Sequence, residues 1–324
     1  MNHDEPGDAI RVHGLTKKYG DHLVLDGLDL HVPVGRIFAL LGANGAGKTT
    51  TVRILSTLLP FDSGQVTVAG HSLPGAAQSV RRSISVTGQY AAVDKVLTGR
   101  ENLMLVAELN HLGRTESRRR TAELLDRFDL VGAADRRAET YSGGMARRLD
   151  LAMSLVAHPQ VVFLDEPTTG LDPRSRREMW SVIRELADGG VTIFLTTQYL
   201  EEADELADRI AVIDGGAIVA EGTPTELKKL VNGGHVELQF ADRTQFDRAA
   251  VALPGAVTDA GTLTVEVPTD GSIASLKTLL DRIDSPELSV EQFALHTPDL
   301  DDVFFALTGA PRATGSDSTK AAVR

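Results

Sequence analysis

Residues 42–49 carry the strongest chemical signal in the chain. Gly42-Ala43-Asn44-Gly45-Ala46-Gly47-Lys48-Thr49 fits the pattern G-x-x-x-x-G-K-[ST], with an apolar run before it and a helix-forming stretch after it. Glycines at these positions let backbone N–H groups turn inward around phosphate oxygens, and the following helix adds the positive end of its dipole. Lys48 offers a point charge to the β- and γ-phosphates, and Thr49 offers a hydroxyl to Mg²⁺. Gly42, Asn44, Gly45, Gly47, Lys48, Thr49 and Thr50 are therefore the candidate nucleotide-binding residues. Downstream, Val161-Val162-Phe163-Leu164-Asp165-Glu166-Pro167 is an apolar strand ending in two adjacent acids. Asp165 suits the outer shell of the same Mg²⁺, and Glu166 could polarise an attacking water as a general base.

A rigid frame must hold these groups. Strand-like and helix-like segments alternate from about Ala9 to Leu230, the signature of an α/β domain around a largely parallel sheet. Ile37–Leu41, Val161–Leu164 and Val191–Leu195 are short apolar runs, as expected of strands buried on both faces. The phosphate-binding loop is expected to open a helix over Thr50–Leu59, stopped by Pro60. Residues 98–157 read as a helical insertion, with one helix opening at Gly99, another over Arg118–Phe128 and a third over Arg147–Ala157. Thr223-Pro224-Thr225-Glu226 starts a short helix. Asn232-Gly233-Gly234 is the expected boundary between a domain of residues 9–232 and one of residues 233–308. The second reads strand (His235–Ala241), helix (Asp242–Leu253), hairpin (Ala256–Val267, turning at Ala260-Gly261), helix (Gly271–Ile283) and strand (Leu288–Leu295). That order is β-α-β-β-α-β, a ferredoxin-like α+β domain, with a last helix over Asp299–Leu307. Residues 1–8 and 309–324 are expected to be disordered.

A third motif identifies the family. Tyr141-Ser142-Gly143-Gly144-Met145 precedes a helix, upstream of Asp165, and resembles the L-S-G-G-Q signature of ATP-binding-cassette ATPases. Tyr19, Gln89 at the junction into the helical insertion, Leu171-Asp172-Pro173 and Thr196-Thr197-Gln198 follow in the order that family has. With its acidic extension ending Leu300-Asp301-Asp302-Val303-Phe304, the whole chain looks most like the ATP-binding subunits of daunorubicin-resistance-type drug exporters. The resemblance implies a P-loop NTPase cassette: a RecA-like α/β core, an antiparallel β subdomain and a helical subdomain. It implies ATP and Mg²⁺ as cofactors and a homodimer enclosing two ATPs, each between one P-loop and the other chain's Ser142, Gly143 and Gly144. A separately encoded membrane permease and a cytoplasmic, membrane-peripheral location are implied as well. Tyr19 would stack on adenine, Gln89 would touch the metal and water, and Asp172 would lie at the dimer seam. Gln198 stands where most of the family has a histidine near the γ-phosphate. Its amide donates a neutral hydrogen bond and carries no proton, and such a bond is worth about half a charge-assisted one. Tyr141 and Met145 replace the usual Leu and Gln but leave the Ser-Gly-Gly core intact.

Composition narrows the alternatives. With 33 bases against 45 acids the chain has a net charge of −12, which argues against nucleic-acid binding by bulk electrostatics. Residues 234–308 hold 13 acids and 4 bases, a net of −9, so most of the acidity lies there. No cysteine is present, which excludes disulfides, thiolate metal sites and cysteine nucleophiles. No apolar run reaches the ~18–20 residues of a membrane span. The nine histidines form no ligand-spaced pair, so no histidine metal site is expected. Arg118-Arg119-Arg120 reads as a solvated helix face. Non-transport cassettes acting on ribosomes or DNA carry two cassettes or a long coiled coil, and this chain has neither. A scaffold or drug-binding protein that binds ATP with little turnover is the other alternative, kept open by Gln198.

Overall fold

In the computed structural model, which describes residues 7–88, 92–231, 234–269, 272–284 and 288–308, the strand leading into the phosphate-binding loop is Ile37–Leu41, buried along its whole length. The chain divides into two units, Met1–Pro224 and Thr225–Arg324. Of the boundary expected at Asn232-Gly233-Gly234, the first two residues lie outside the described residues.

In the first unit Ile37–Leu41 is the third strand of a six-stranded sheet, in the order Ala217–Gly222, Arg209–Asp214, Ile37–Leu41, Thr192–Thr197, Val161–Asp165, Ile84–Thr87. Every neighbouring pair is parallel except the first. Val161–Asp165 and Thr192–Thr197 are buried at every position, as their apolar runs predict. A four-stranded antiparallel sheet, ordered His22–Pro33, Asp8–Tyr19, Ser63–Val68, His71–Leu73, packs on the parallel one. Leu25, Leu28 and Leu30 from it share one apolar cluster with Phe38, Phe194 and Ile213. Phe194 stacks on Phe38 at 5.7 Å and tilts against Phe163 at 5.6 Å, so the core ties the sheet's middle strands together.

Helix boundaries differ from the expected ones for local reasons. The helix after the phosphate-binding loop is Lys48–Leu55, not residues 50–59. It starts early because Gly47 caps it at φ 111, and it ends a turn early because Thr57 takes φ 66. Leu58 and Leu59 then donate back to the Arg53 carbonyl, closing the end before Pro60 is reached. In the insertion, Gly99–Leu109 opens with a capping box between Thr98 and Glu101. Arg114–Arg127 and Gly143–Ser154 each begin several residues before the expected start. Arg118 and Arg119 are the solvated residues of their triplet, Arg119 pairing with Glu116 and Glu123. Arg120 is not: it is buried, and its guanidinium donates to the Leu155 carbonyl at 2.8 Å. The helical period turns it inward.

The second unit is a four-stranded sheet in the order Val257–Asp259, Thr264–Pro268, His235–Phe240, Val290–His296, every pair antiparallel. Along His235–Phe240 burial alternates, with Val236, Leu238 and Phe240 inward. They meet Phe246 and Ala249 of helix Arg243–Ala252 and Leu279 and Ile283 of helix Ile273–Ile283 in one core. Helix Leu300–Thr308 buries Leu300 and Val303, while Phe304 and Phe305 are half-buried and meet edge-to-face at 6.2 Å. The register sets His235 opposite His296, a pairing that linear spacing cannot reveal. Among the described residues no helix is long and apolar enough to cross a membrane.

Candidate active site

The carboxyl ends of three adjacent strands converge. Ile37–Leu41 delivers residues 42–49, Val161–Asp165 delivers Asp165 and Glu166, and Thr192–Thr197 delivers Thr196 and Gln198. This is where open α/β sheets bind ligands. Gly42 and Gly47 are required by space: a β-carbon on Gly42 would run into the Ile213 carbonyl, and one on Gly47 would lie 2.7 Å from Leu25 Cδ2. Gly45 and Gly47 also take positive φ, 84 and 111.

Lys48 is 5 % exposed, and its Nζ donates to the carbonyls of Gly42 at 2.8 Å and Ala43 at 3.1 Å. Glu166 Oε1 lies 4.0 Å from the same nitrogen. Burial lowers the Lys48 pKa, and the charges of Glu166 and Asp165 oppose that shift. Thr49 Oγ1 donates to Asp165 Oδ1 at 3.3 Å, and Thr196 Oγ1 donates to the same oxygen at 2.5 Å. These contacts fit a magnesium nucleotide. A buried ammonium sits inside a loop of inward-facing backbone, beside a hydroxyl and a carboxylate of the hard-oxygen kind that Mg²⁺ takes. Glu166 sits at φ 50, with its N–H donating to the Thr196 carbonyl at 3.1 Å and Thr169 Oγ1 donating to its carboxylate at 3.3 Å. Gln198 follows the end of its strand and is half-buried. Gln89 lies outside the described residues. Asn44 and Gly45 are exposed, and Thr50 is half-buried on the first turn of the helix.

The remaining predicted residues form separate groups. Tyr19, at the end of strand Asp8–Tyr19, is half exposed with Lys17 Nζ 5.6 Å from its ring centroid. Ser142 caps helix Gly143–Ser154, its hydroxyl accepting from the Met145 N–H at 3.2 Å. Gly144 lies so near helix Pro173–Asp188 that a β-carbon there would be 2.8 Å from Ser175 Oγ. Asp172 caps that second helix, accepting from Ser175 Oγ at 2.6 Å and from the N–H groups of Ser175 and Arg174. The same contacts, the Ser175 hydroxyl foremost, hold its pKa below the ordinary value. Tyr141 is accommodated by Gly99, whose missing side chain leaves room for the phenol; its hydroxyl donates to the Ala133 carbonyl at 2.7 Å.

Three buried charged side chains, Arg147, Asp150 and Glu202, escaped the sequence reading. Arg147, on the helix that Ser142 caps, donates to the carbonyls of Pro167 and Gly88, each at 2.8 Å, and pairs with Asp150 at 3.1 Å. Asp150 accepts from the Ala92 N–H at 2.8 Å. One ion pair thus anchors both flanks of the segment holding Gln89 and the turn that follows Glu166. Burial pushes the Asp150 pKa up and the Arg147 pKa down. Glu202, fully buried on helix Leu200–Leu206, accepts from Thr168 Oγ1 at 2.7 Å and Trp180 Nε1 at 3.1 Å, and burial raises its pKa. The i, i+3 Arg–Asp spacing was visible in the sequence, but not its burial.

Residues 25–169 match the family described as ABC transporter. The chain is 50% identical to a daunorubicin resistance ATP-binding protein of Streptomyces coeruleorubidus, over 94% of this chain and 96% of that one. It is 47% identical to the daunorubicin/doxorubicin resistance ATP-binding protein of Streptomyces peucetius, over 95% and 94%. A solved structure described as the ATP binding subunit of an ABC transporter superposes with a TM-score of 0.61 at 27% identity, over 68% of this chain and 92% of that one. The chain belongs to the ABC transporter ATP-binding proteins of the daunorubicin/doxorubicin-resistance family, and is an ABC-type ATPase.

Proposed function

We propose that this subunit hydrolyses ATP to drive efflux of a drug, secondary metabolite or lipid through a separately encoded membrane permease. The names of its relatives support the resistance role. The observation that carries the ATPase reading is the meeting of Lys48, Thr49, Asp165 and Glu166 within one set of hydrogen-bond and charge contacts. Lys48 supplies charge to the β- and γ-phosphates, Thr49 and Asp165 hold the metal side, and Glu166 takes the proton of the attacking water. Bound Mg²⁺ would neutralise charge developing on the phosphate oxygens. Gln89 would orient the metal and water, and Gln198 would donate an amide hydrogen bond to the γ-phosphate.

In the same reading two copies face each other, each P-loop closed by the other chain's Ser142, Gly143 and Gly144, with Asp172 at the seam and Tyr19 on adenine. The capped N-terminus of helix Gly143–Ser154 is a phosphate-binding end that nothing in its own chain's P-loop requires. The pair would sit on the cytoplasmic side of the membrane beneath the permease, with Leu105 and Leu109, exposed on one helix face, available for docking. The second unit would be a ferredoxin-like domain that stabilises the dimer, supported by its β-α-β-β-α-β order and its antiparallel strand order.

Glu166→Gln is the test. It should keep ATP binding and slow phosphate release by about 10²–10⁴-fold, the range for loss of a general base. Because closure precedes hydrolysis, the variant should also elute as a dimer on gel filtration with Mg-ATP. Wild-type turnover would remove Glu166 as the base, and a monomer at saturating Mg-ATP with the permease present would remove the sandwich.

A further inference from the structure

The second unit carries a group of side chains for which ATP hydrolysis has no use. His235 and Glu237 are two apart on strand His235–Phe240, on the face opposite the buried Val236 and Leu238. His296 stands directly across from His235 on strand Val290–His296, and directly opposed residues share a face. The two imidazoles stack with centroids 4.8 Å apart and planes 16° apart, and His296 Nε2 lies 3.3 Å from Glu237 Oε2. One donor atom from each of the three lies within 4.8 Å of the other two.

We propose that His235, Glu237 and His296 form a binding site for a divalent transition-metal ion, of which Zn²⁺ is the representative. Two imidazoles and a carboxylate are a donor set that suits such ions rather than Mg²⁺ or Ca²⁺. The ligands stand on two hydrogen-bonded strands, a scaffold more rigid than a loop. Charge points the same way. None of the four strands of this sheet contains a lysine or arginine, and Glu266 stands opposite Glu237. Within the sheet, the carboxylates therefore have no cationic partner except the imidazoles. In a tetrahedral zinc site with bonds of about 2.0–2.1 Å the ligand atoms are about 3.3 Å apart, and the Glu237–His296 pair already has that spacing. Tilting the stacked His235 ring completes the set, and water fills the position left open. The bound ion would pin the edge strand Val290–His296 to the central strand. Its effect is on the second unit's stability, independent of the ATPase reading.

The experiment uses the full chain, stripped with chelator and free of nucleotide, titrated with Zn²⁺ in excess Mg²⁺ by calorimetry and followed by thermal unfolding. The wild type should take one zinc ion that a His235→Ala/His296→Ala double variant does not, and its unfolding temperature should rise with zinc. Each single histidine variant should bind more weakly by at least the roughly 10–100-fold that loss of even an outer-shell partner costs. Co²⁺ should give a visible d–d absorption band in the wild type and none in the double variant. Glu237→Gln, which preserves size, decides alone if a histidine variant loses its fold: it should weaken zinc binding, and wild-type affinity in it would overturn the site. Equal zinc binding by wild type and double variant, or wild-type binding only at millimolar zinc, would overturn it as well and leave a stacked, ion-paired histidine couple.

Discussion

The two units place their polar side chains by different rules. In Met1–Pro224 the strands that carry the site are buried on both faces, so polar groups appear only where those strands end. Lys48, Asp165, Glu166 and Gln198 all come just after apolar runs, and a reader of the sequence finds them by looking at those edges. In Thr225–Arg324 strand His235–Phe240 is buried on one face only, so polar groups alternate with apolar ones along its length. There a cluster can form across the sheet's open face from residues distant in sequence, with nothing in their spacing to announce it. Chemistry at strand ends is legible in one dimension, and chemistry on a sheet face needs the register.

The contrast can be broken most sharply at Lys48. Lys48→Ala should abolish ATP turnover, since it removes a charge-assisted contact worth about 1.5–3 kcal/mol to each phosphate state it touches, while the unfolding of the second unit stays where it was. Retained turnover would mean that the strand-end reading of the site is wrong. The converse change is Phe246→Ala, which opens a cavity in the second unit's core and should cost that unit about 3–5 kcal/mol. ATP binding by the first unit should survive it, and loss of both together would show that the units fold as one. Arg147→Ala leaves Asp150 buried without its cation, a loss of about 3–5 kcal/mol. It should also slow phosphate release, because the turn after Glu166 loses an anchor at Pro167; a variant destabilised but with wild-type turnover would confine the pair to folding.

The smallest effect is a pH dependence. Burial holds the Glu202 carboxyl above its ordinary value of 4.5. The folded state therefore binds this proton more tightly than the unfolded chain does, and the stability it contributes is complete below that ordinary value and is lost as pH rises through the raised one. Glu202→Gln keeps an oxygen for Thr168 and Trp180 without the ionisation, so its unfolding free energy should fall less from acid to neutral pH than the wild type's. Parallel curves for the two proteins would contradict the assignment.

What the sequence disclosed follows from the same distinction. The parallel core was readable because Ile37–Leu41 and Val161–Leu164 are too apolar to belong anywhere but between two covered faces. The phosphate-binding residues were readable because a glycine-rich turn between strand and helix has few other uses. Helix ends were not, since the termination at Leu55 depends on a left-handed Thr57 that no composition rule requires. Arg120 and Arg147 look like solvated arginines in a list of residues. Their burial is decided by helices packing over them, and only a three-dimensional contact such as that of Arg120 with the Leu155 carbonyl reveals it.

Glu166 has a further consequence through its backbone. A non-glycine residue at φ 50 is held in a conformation that costs on the order of 1–3 kcal/mol, and glycine would adopt it freely. With Glu166 as the proposed base, the position sets folding against turnover: Glu166→Gly should raise the unfolding temperature while removing the carboxylate. Under the proposed role the carboxylate is kept at a cost in stability, whereas at Gly47 of the P-loop space and backbone conformation demand the same residue that binding does.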